Sequence, residues 1–176
     1  GANGGGLDHA NLNKKKSEFG IRAVKRDTTS EKAKAMADMG AEVVAADVDD
    51  KESIAKVLQG AYGTYFVTFF WAHFSAEKEY EEAKNMAEAA KGAGLKHVIW
   101  STLEDTRLLV PLDDNRMPTL QGKYKVPHFD AKGAADKFFT EAGLPVTFLR
   151  ASFYWDNLIY FGSGPKKGPD GNLYIT

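Results

Sequence analysis

The chain has 176 residues, 43% of them hydrophobic, which suits one domain with a proper core and argues against disorder as a whole-chain description. Its 23 basic and 24 acidic residues leave a net charge of −1, so no field exists to steer it to nucleic acid or to an anionic membrane. Cysteine is absent, which removes disulfides, thiolate nucleophiles and cysteine-ligated metal centres, so a redox role needs a bound cofactor.

The first residues, Gly1-Ala2-Asn3-Gly4-Gly5-Gly6, form a loop of the kind that cradles a dinucleotide pyrophosphate, with no strand ahead of it. They fit the front half of G-x-x-G-x-x-G, but position 7 is Leu7 and the third glycine has to be Gly5 or Gly6. A frayed terminus or a cloning scar accounts for the same residues equally well. The helix expected next, Leu7 to about Lys16, is poor, because Asn11 and Asn13 have low propensity and the apolar face is thin. No apolar run approaches bilayer length and the N-terminus lacks the order of a secretory signal, so the expectation is a soluble cytoplasmic protein.

Ile21 to Val24 reads as a strand, followed by a helix capped by Ser30, running to about Met39 and stopped by Gly40. Glu42 to Ala46 is the next strand, and Asp50 caps a helix over Lys51 to Leu58 that Gly60 closes. Tyr62 to Thr68 is an aromatic and β-branched strand. The longest helix spans about Ser75 to Lys91, with Ala76, Tyr80, Ala83, Ala87 and Ala90 on one stripe, so it can lie close against a sheet. His97 to Ser101 is a strand, a helix starts near His128 and ends at Gly143, and Val146 to Leu149 is the last clear strand. Gly162 to Gly171 reads as a connection to something beyond, with Leu173-Tyr174-Ile175 beginning another strand.

This alternation predicts an α/β fold, a Rossmann-like doubly wound parallel sheet in a single domain over residues 1–176 that lacks the first strand and the C-terminal substrate region. In the order 3-2-1-4-5-6 the first strand is central. Its loss separates the two halves, so either the second strand closes directly onto the fourth or the first quarter of the chain is loosely held.

Arg26, at the exit of the Ile21 strand, stands where such a fold chooses its cofactor. A guanidinium there clamps a 2′-phosphate and favours NADP over NAD, whereas an ordinary surface pair with Asp27 is the alternative. Asp47-Val48 sits where the fold borders the adenine, or else forms a helix-capping turn. His128 and Lys132 share a helix face, a spacing that resembles the Tyr-x-x-x-Lys pair of short-chain dehydrogenases, with histidine as the proton donor. A histidine four residues before a lysine is also common and usually inert. Ser101 closes its strand beside them, as a hydrogen-bond donor or a plain turn former.

Ile21 to Arg26, Gly40 to Val44 with Asp47 to Asp50, Val67-Thr68-Phe69-Phe70-Trp71, Ser101 to Asp105, His128 to Lys132 and Gly143 to Thr147 together resemble the NmrA-like family, atypical relatives of short-chain dehydrogenases. The resemblance implies NADP binding, with Gly1, Ala2, Asn3 and Gly4 at the pyrophosphate, Arg26 at the 2′-phosphate and Asp47-Val48 at the adenine. It further implies that Thr68, Phe69 and Phe70 line the loop after their strand. Lys132 would hold the nicotinamide ribose, and Tyr154-Trp155-Asp156-Asn157 would close over the nicotinamide end. Phe69 and Ala72 stand where the family's Thr-Asn-x-Trp-Glu pattern has Asn and Glu, and Ala151 replaces a proline. Three functions follow as expectations: a sensor of the NADP/NADPH ratio that regulates a protein partner, an NAD(P)H-dependent quinone or small-carbonyl reductase with His128 as acid, or a fragment that binds no nucleotide.

Overall fold

The structure, a computed structural model, describes residues 18–154 and 156–175. It begins with strand β1 (Arg22–Lys25) and helix α1 (Glu31–Asp38), whose first turn is capped by Ser30 Oγ accepting from the Ala33 N–H at 3.3 Å. Gly40 follows the far end of that helix at a φ of 97°, a left-handed conformation that a side chain would strain, and releases the chain into β2 (Glu42–Ala45). β2 lies parallel to β1 with Arg22 opposite Glu42. Asp50 then accepts from the Glu52 and Ser53 N–H groups and starts α2 (Lys51–Leu58).

The second half builds β3 (Gly63–Phe66), α3 (Ala76–Ala93), β4 (His97–Thr102), α4 (Pro127–Glu141) and β5 (Val146–Arg150), closing with a short α5 (Asp156–Tyr160) and a hairpin of β6 (Lys166–Lys167) and β7 (Leu173–Tyr174). Strands β3, β4 and β5 form a parallel sheet in that order. The core sits between this sheet and the α3 and α4 helices. Trp100 and Phe139, both fully buried, stack with ring centres 4.9 Å apart, and the small stripe of Ala83, Ala87 and Ala90 lets α3 approach closely.

Among the described residues, β1 and β2 pair only with each other, so the sheet is divided as the strand order anticipates. One of the two expected outcomes, closure of β1 directly onto β3, does not occur. The spacing of the helical layer gives a reason. Packed helices sit ~8–10 Å apart while hydrogen-bonded strands sit ~4.8 Å apart, so the helix layer that joins the two halves does not by itself bring β1 into pairing distance of β3. The β1–β2 pair is attached instead through its helices. Arg22 bonds Glu42 at 2.8 Å and donates to the carbonyls of Val57 and Gln59. Lys51 pairs with Glu88 at 2.9 Å, Lys78 with Asp49 at 2.6 Å, and Asn85 donates to the Val48 carbonyl. Its own core is small, with Ala23, Met36 and Ala41 buried together.

Candidate functional site

At the carboxyl ends of β3 and β4 the chain leaves the sheet and opens a cleft of about 340 Å³. In a parallel sheet this end gathers loops and helix starts, which is where open α/β folds bind ligands. The segment after β3 contributes Thr68, Phe69, Phe70 and Trp71; β4 contributes Ser101 and Thr102; the first turns of α4 contribute His128 and Lys132; Tyr154 and Asn157 complete the wall.

Lys132 defines the floor. Its Nζ donates to Thr68 Oγ1 at 2.6 Å and to the Thr68 carbonyl at 3.3 Å, and lies 3.1 Å from Glu79 Oε1. Burial pushes the Lys132 ammonium below the usual lysine range, and the adjoining Glu79 carboxylate opposes that shift. The Nζ also sits 5.2 Å from the centre of the Trp100 ring. Beside it, Asp136 accepts from Trp100 Nε1 at 2.9 Å and from Thr102 Oγ1 at 2.5 Å, locking β4 to α4, with its carboxyl raised chiefly by burial.

His128 forms an aromatic wall with Trp71 and Phe70, at ring-centre distances of 5.0 and 5.4 Å. Burial pushes its imidazole below the ordinary histidine value, with Glu79 pulling the other way, so it is neutral at physiological pH. Phe69 and Trp71 remain exposed at the mouth.

Of the residues singled out from sequence, Thr68, Phe69, Phe70, Ser101, His128, Lys132, Tyr154 and Asn157 share this one cleft. Arg26 and Asp47 meet instead in a shallow hollow of about 240 Å³ beyond the ends of β1 and β2, with Asp50 and Ser53. The alternative Arg26–Asp27 surface pair is not formed among the described residues. Asp27 accepts instead from the Thr29 N–H and hydroxyl at 2.8 and 2.7 Å. Asp47 does build a turn before α2, accepting from the Asp49 N–H and bonding Ser53 through its backbone. Val48 packs, partly buried, against the main core. Gly1, Ala2, Asn3, Gly4, Trp155 and the side chain of Asp156 lie outside the described residues.

Glu79, Glu82 and His73 belong to the site's underside and were not evident from motif reading. The signal was their spacing: Glu79 is three residues after Ala76 and Glu82 three further on, so both fall on the buried stripe of α3. Glu82 Oε1 lies 3.5 Å from His73 Nε2, and burial together with the charges of Asp49 and Glu79 pushes its carboxyl up to about 7. His73 Nδ1 accepts from the Ser75 N–H, so the neutral ring carries its proton on Nε2, facing Glu82.

Fold and cleft together define a Rossmann-like α/β domain with a cleft at the carboxyl ends of parallel strands. The NmrA-like family matches residues 1–174, and the chain belongs to that family. It is similar to the NmrA-like family domain-containing oxidoreductase FrzB of a Cladobotryum species, 28% identical, with 90% of this chain and 47% of that protein covered. Its fold is similar to the triphenylmethane reductase of a Citrobacter species complexed with NADP(H), at a TM-score of 0.68 and 24% identity, covering 90% of this chain and 49% of that one. It is likewise similar to the negative transcriptional regulator Nmra, at a TM-score of 0.67 and 22% identity, covering 90% and 46%. The chain spans about half the length of the curated relatives it matches, 51% and 47% of the first two. Among the described residues no helix is long and apolar enough to cross a membrane.

Proposed function

We propose that this chain is an NADP(H)-binding domain that acts through occupancy of its cleft, as a sensor of the NADP/NADPH ratio that regulates a protein partner in the cytoplasm or nucleus. One observation carries the preference for sensing over turnover. The group at the proton-donor position, His128, is packed against Phe70 and Trp71 and held neutral, and a neutral imidazole is a weak acid. The donor set fits the nucleotide: Lys132 and Ser101 suit the nicotinamide ribose and amide, and Arg26 beside the Asp47 hollow suits the 2′-phosphate. When bound, the nicotinamide supplies hydride chemistry; these side chains bind and orient. NADP(H) in the triphenylmethane reductase and the regulatory role of Nmra support the reading. A second reading, an NAD(P)H-dependent quinone or small-carbonyl reductase, draws support from the oxidoreductase FrzB and from Phe69 and Trp71, whose exposed rings suit a flat acceptor.

Titration with NADP and NADPH, followed by tryptophan fluorescence, tests the proposal because Trp71 lines the cleft. Saturable signals are expected, and Arg26→Ala is expected to weaken NADP by about tenfold or more while leaving NAD unchanged, as loss of a charge-assisted contact requires. Flat traces for both nucleotides overturn it. Brisk NADPH consumption with a quinone panel, abolished by His128→Ala, transfers the assignment to the second reading.

A further inference from the structure

We propose that Glu79 is the positioning residue of the cleft: with Thr68 Oγ1 it fixes the reach of the Lys132 ammonium and supplies its counter-charge. The proposal rests on reading the cleft as the nicotinamide end.

An ammonium has three N–H groups, and this one meets three acceptors: Thr68 Oγ1, the Thr68 carbonyl and Glu79 Oε1. Thr68 closes a triangle by donating its hydroxyl proton to the same Glu79 oxygen at 2.5 Å. The contact at 3.3 Å to the Thr68 carbonyl is the longest, so it is the one that a ligand hydroxyl can replace without opening the triangle. Glu79 therefore decides where the single exchangeable donor points.

The carboxylate is also held at a cost. Glu79 has no exposed surface, and its Oε2 has no hydrogen-bond partner among the described residues. A buried carboxylate with an empty acceptor site is unfavourable, and its offset is the ammonium alongside. The other charged and titratable groups around Lys132 are Glu82 on α3, which faces His73, and His128 on its own helix. Trp100 of β4 offers only its ring.

Glu79→Gln keeps the shape and removes the charge. Burial then acts unopposed by Glu79 on Lys132, so the lysine loses its proton within an accessible pH range. Wild-type affinity for NADPH sets the reference profile, which carries the titration of Glu82 near pH 7, and each variant is read as its ratio to wild type at the same pH. In Glu79→Gln the Kd is expected to rise by about tenfold per pH unit above the shifted lysine value. Glu79→Asp, which retains the charge, is expected to restore the wild-type profile at weaker affinity. A uniform loss in Glu79→Gln at every pH overturns the proposal, because packing alone has no pH dependence.

If the wild type binds no nucleotide, the functional reading fails, and thermal melts without ligand still decide the role of Glu79. A lysine that is neutral when folded and charged when unfolded makes Glu79→Gln gain stability as pH rises, and Glu79→Gln/Lys132→Met lacks that gain. Equal pH slopes in the two variants overturn the pairing. Should Glu79→Gln alone not fold, removing both charges is expected to restore folding, and a double variant that also fails to fold overturns it.

Discussion

Asp130 stitches the long connection after β4 onto the first turn of α4, and Asp130→Asn tests how much the site depends on that stitch. The carboxylate has no exposed surface and accepts four hydrogen bonds: Oδ1 from the Thr106 N–H at 2.9 Å and the Thr106 hydroxyl at 2.5 Å, Oδ2 from the Lys125 N–H at 2.8 Å and the Val126 N–H at 3.2 Å. Val126 is the N-cap of α4 and its side chain makes no capping bond, so Asp130 satisfies the helix entry from within. An amide has one oxygen, so whichever way it turns, its NH2 group faces one pair of donors. Two backbone N–H groups left unsatisfied, or one and a hydroxyl, each cost ~1–3 kcal/mol, and the two surviving bonds lose their charge assistance, so the total is about 3–5 kcal/mol. Urea denaturation measures that loss, and hydrogen exchange should accelerate at Thr106, Lys125 and Val126. A loss under ~1 kcal/mol with unchanged exchange at these amides would refute the reasoning.

Gly133→Ala is expected to destabilise the fold although it improves helix propensity by ~1 kcal/mol. The new Cβ meets the Asp105 backbone nitrogen at 2.4 Å and its Cα at 2.9 Å, and overpacking against backbone costs ~1–3 kcal/mol or more, so a raised thermal midpoint would contradict the contact. Glu82 titrates near neutrality with the sign of a buried acid. Burial pushes its folded pKa up to about 7, above the ordinary carboxyl value of 4.5, so the folded state holds the proton longer and stability falls as pH rises between those values, by up to ~3 kcal/mol. Glu82→Gln is expected to flatten that slope in thermal melts taken at about pH 5 and about pH 8, and an unaltered slope counts against it.

Periodicity and caps made most of the architecture legible in the chain itself. Ser30 and Asp50 are local signals, since each acts within three residues of its own position, and both cap the helices they precede. Alternation of short β-branched runs with helices made the parallel α/β class readable for the same reason. The cleft was legible wherever a residue ends a strand or opens a helix: Thr68, Ser101, His128 and Lys132 come together because parallel strands all deliver their carboxyl ends to one side.

What stayed hidden depends on partners distant in sequence. An alanine-rich stripe does not announce that Glu79 within it meets a lysine on the next long helix, because the cost of burying a carboxylate is offset only once α3 and α4 are packed. Arg26 beside Asp27 suggested a neighbourly ion pair, yet Asp27 is taken by Thr29 in its own turn, which local geometry favours over a long flexible side chain. The order of elements, their caps and the end of the sheet at which the cleft opens were determined by the sequence, through interactions a few residues long. Which charges face each other across the helices, and that β1 does not close directly onto β3, were decided by tertiary packing, because both depend on distances between elements that no local pattern encodes.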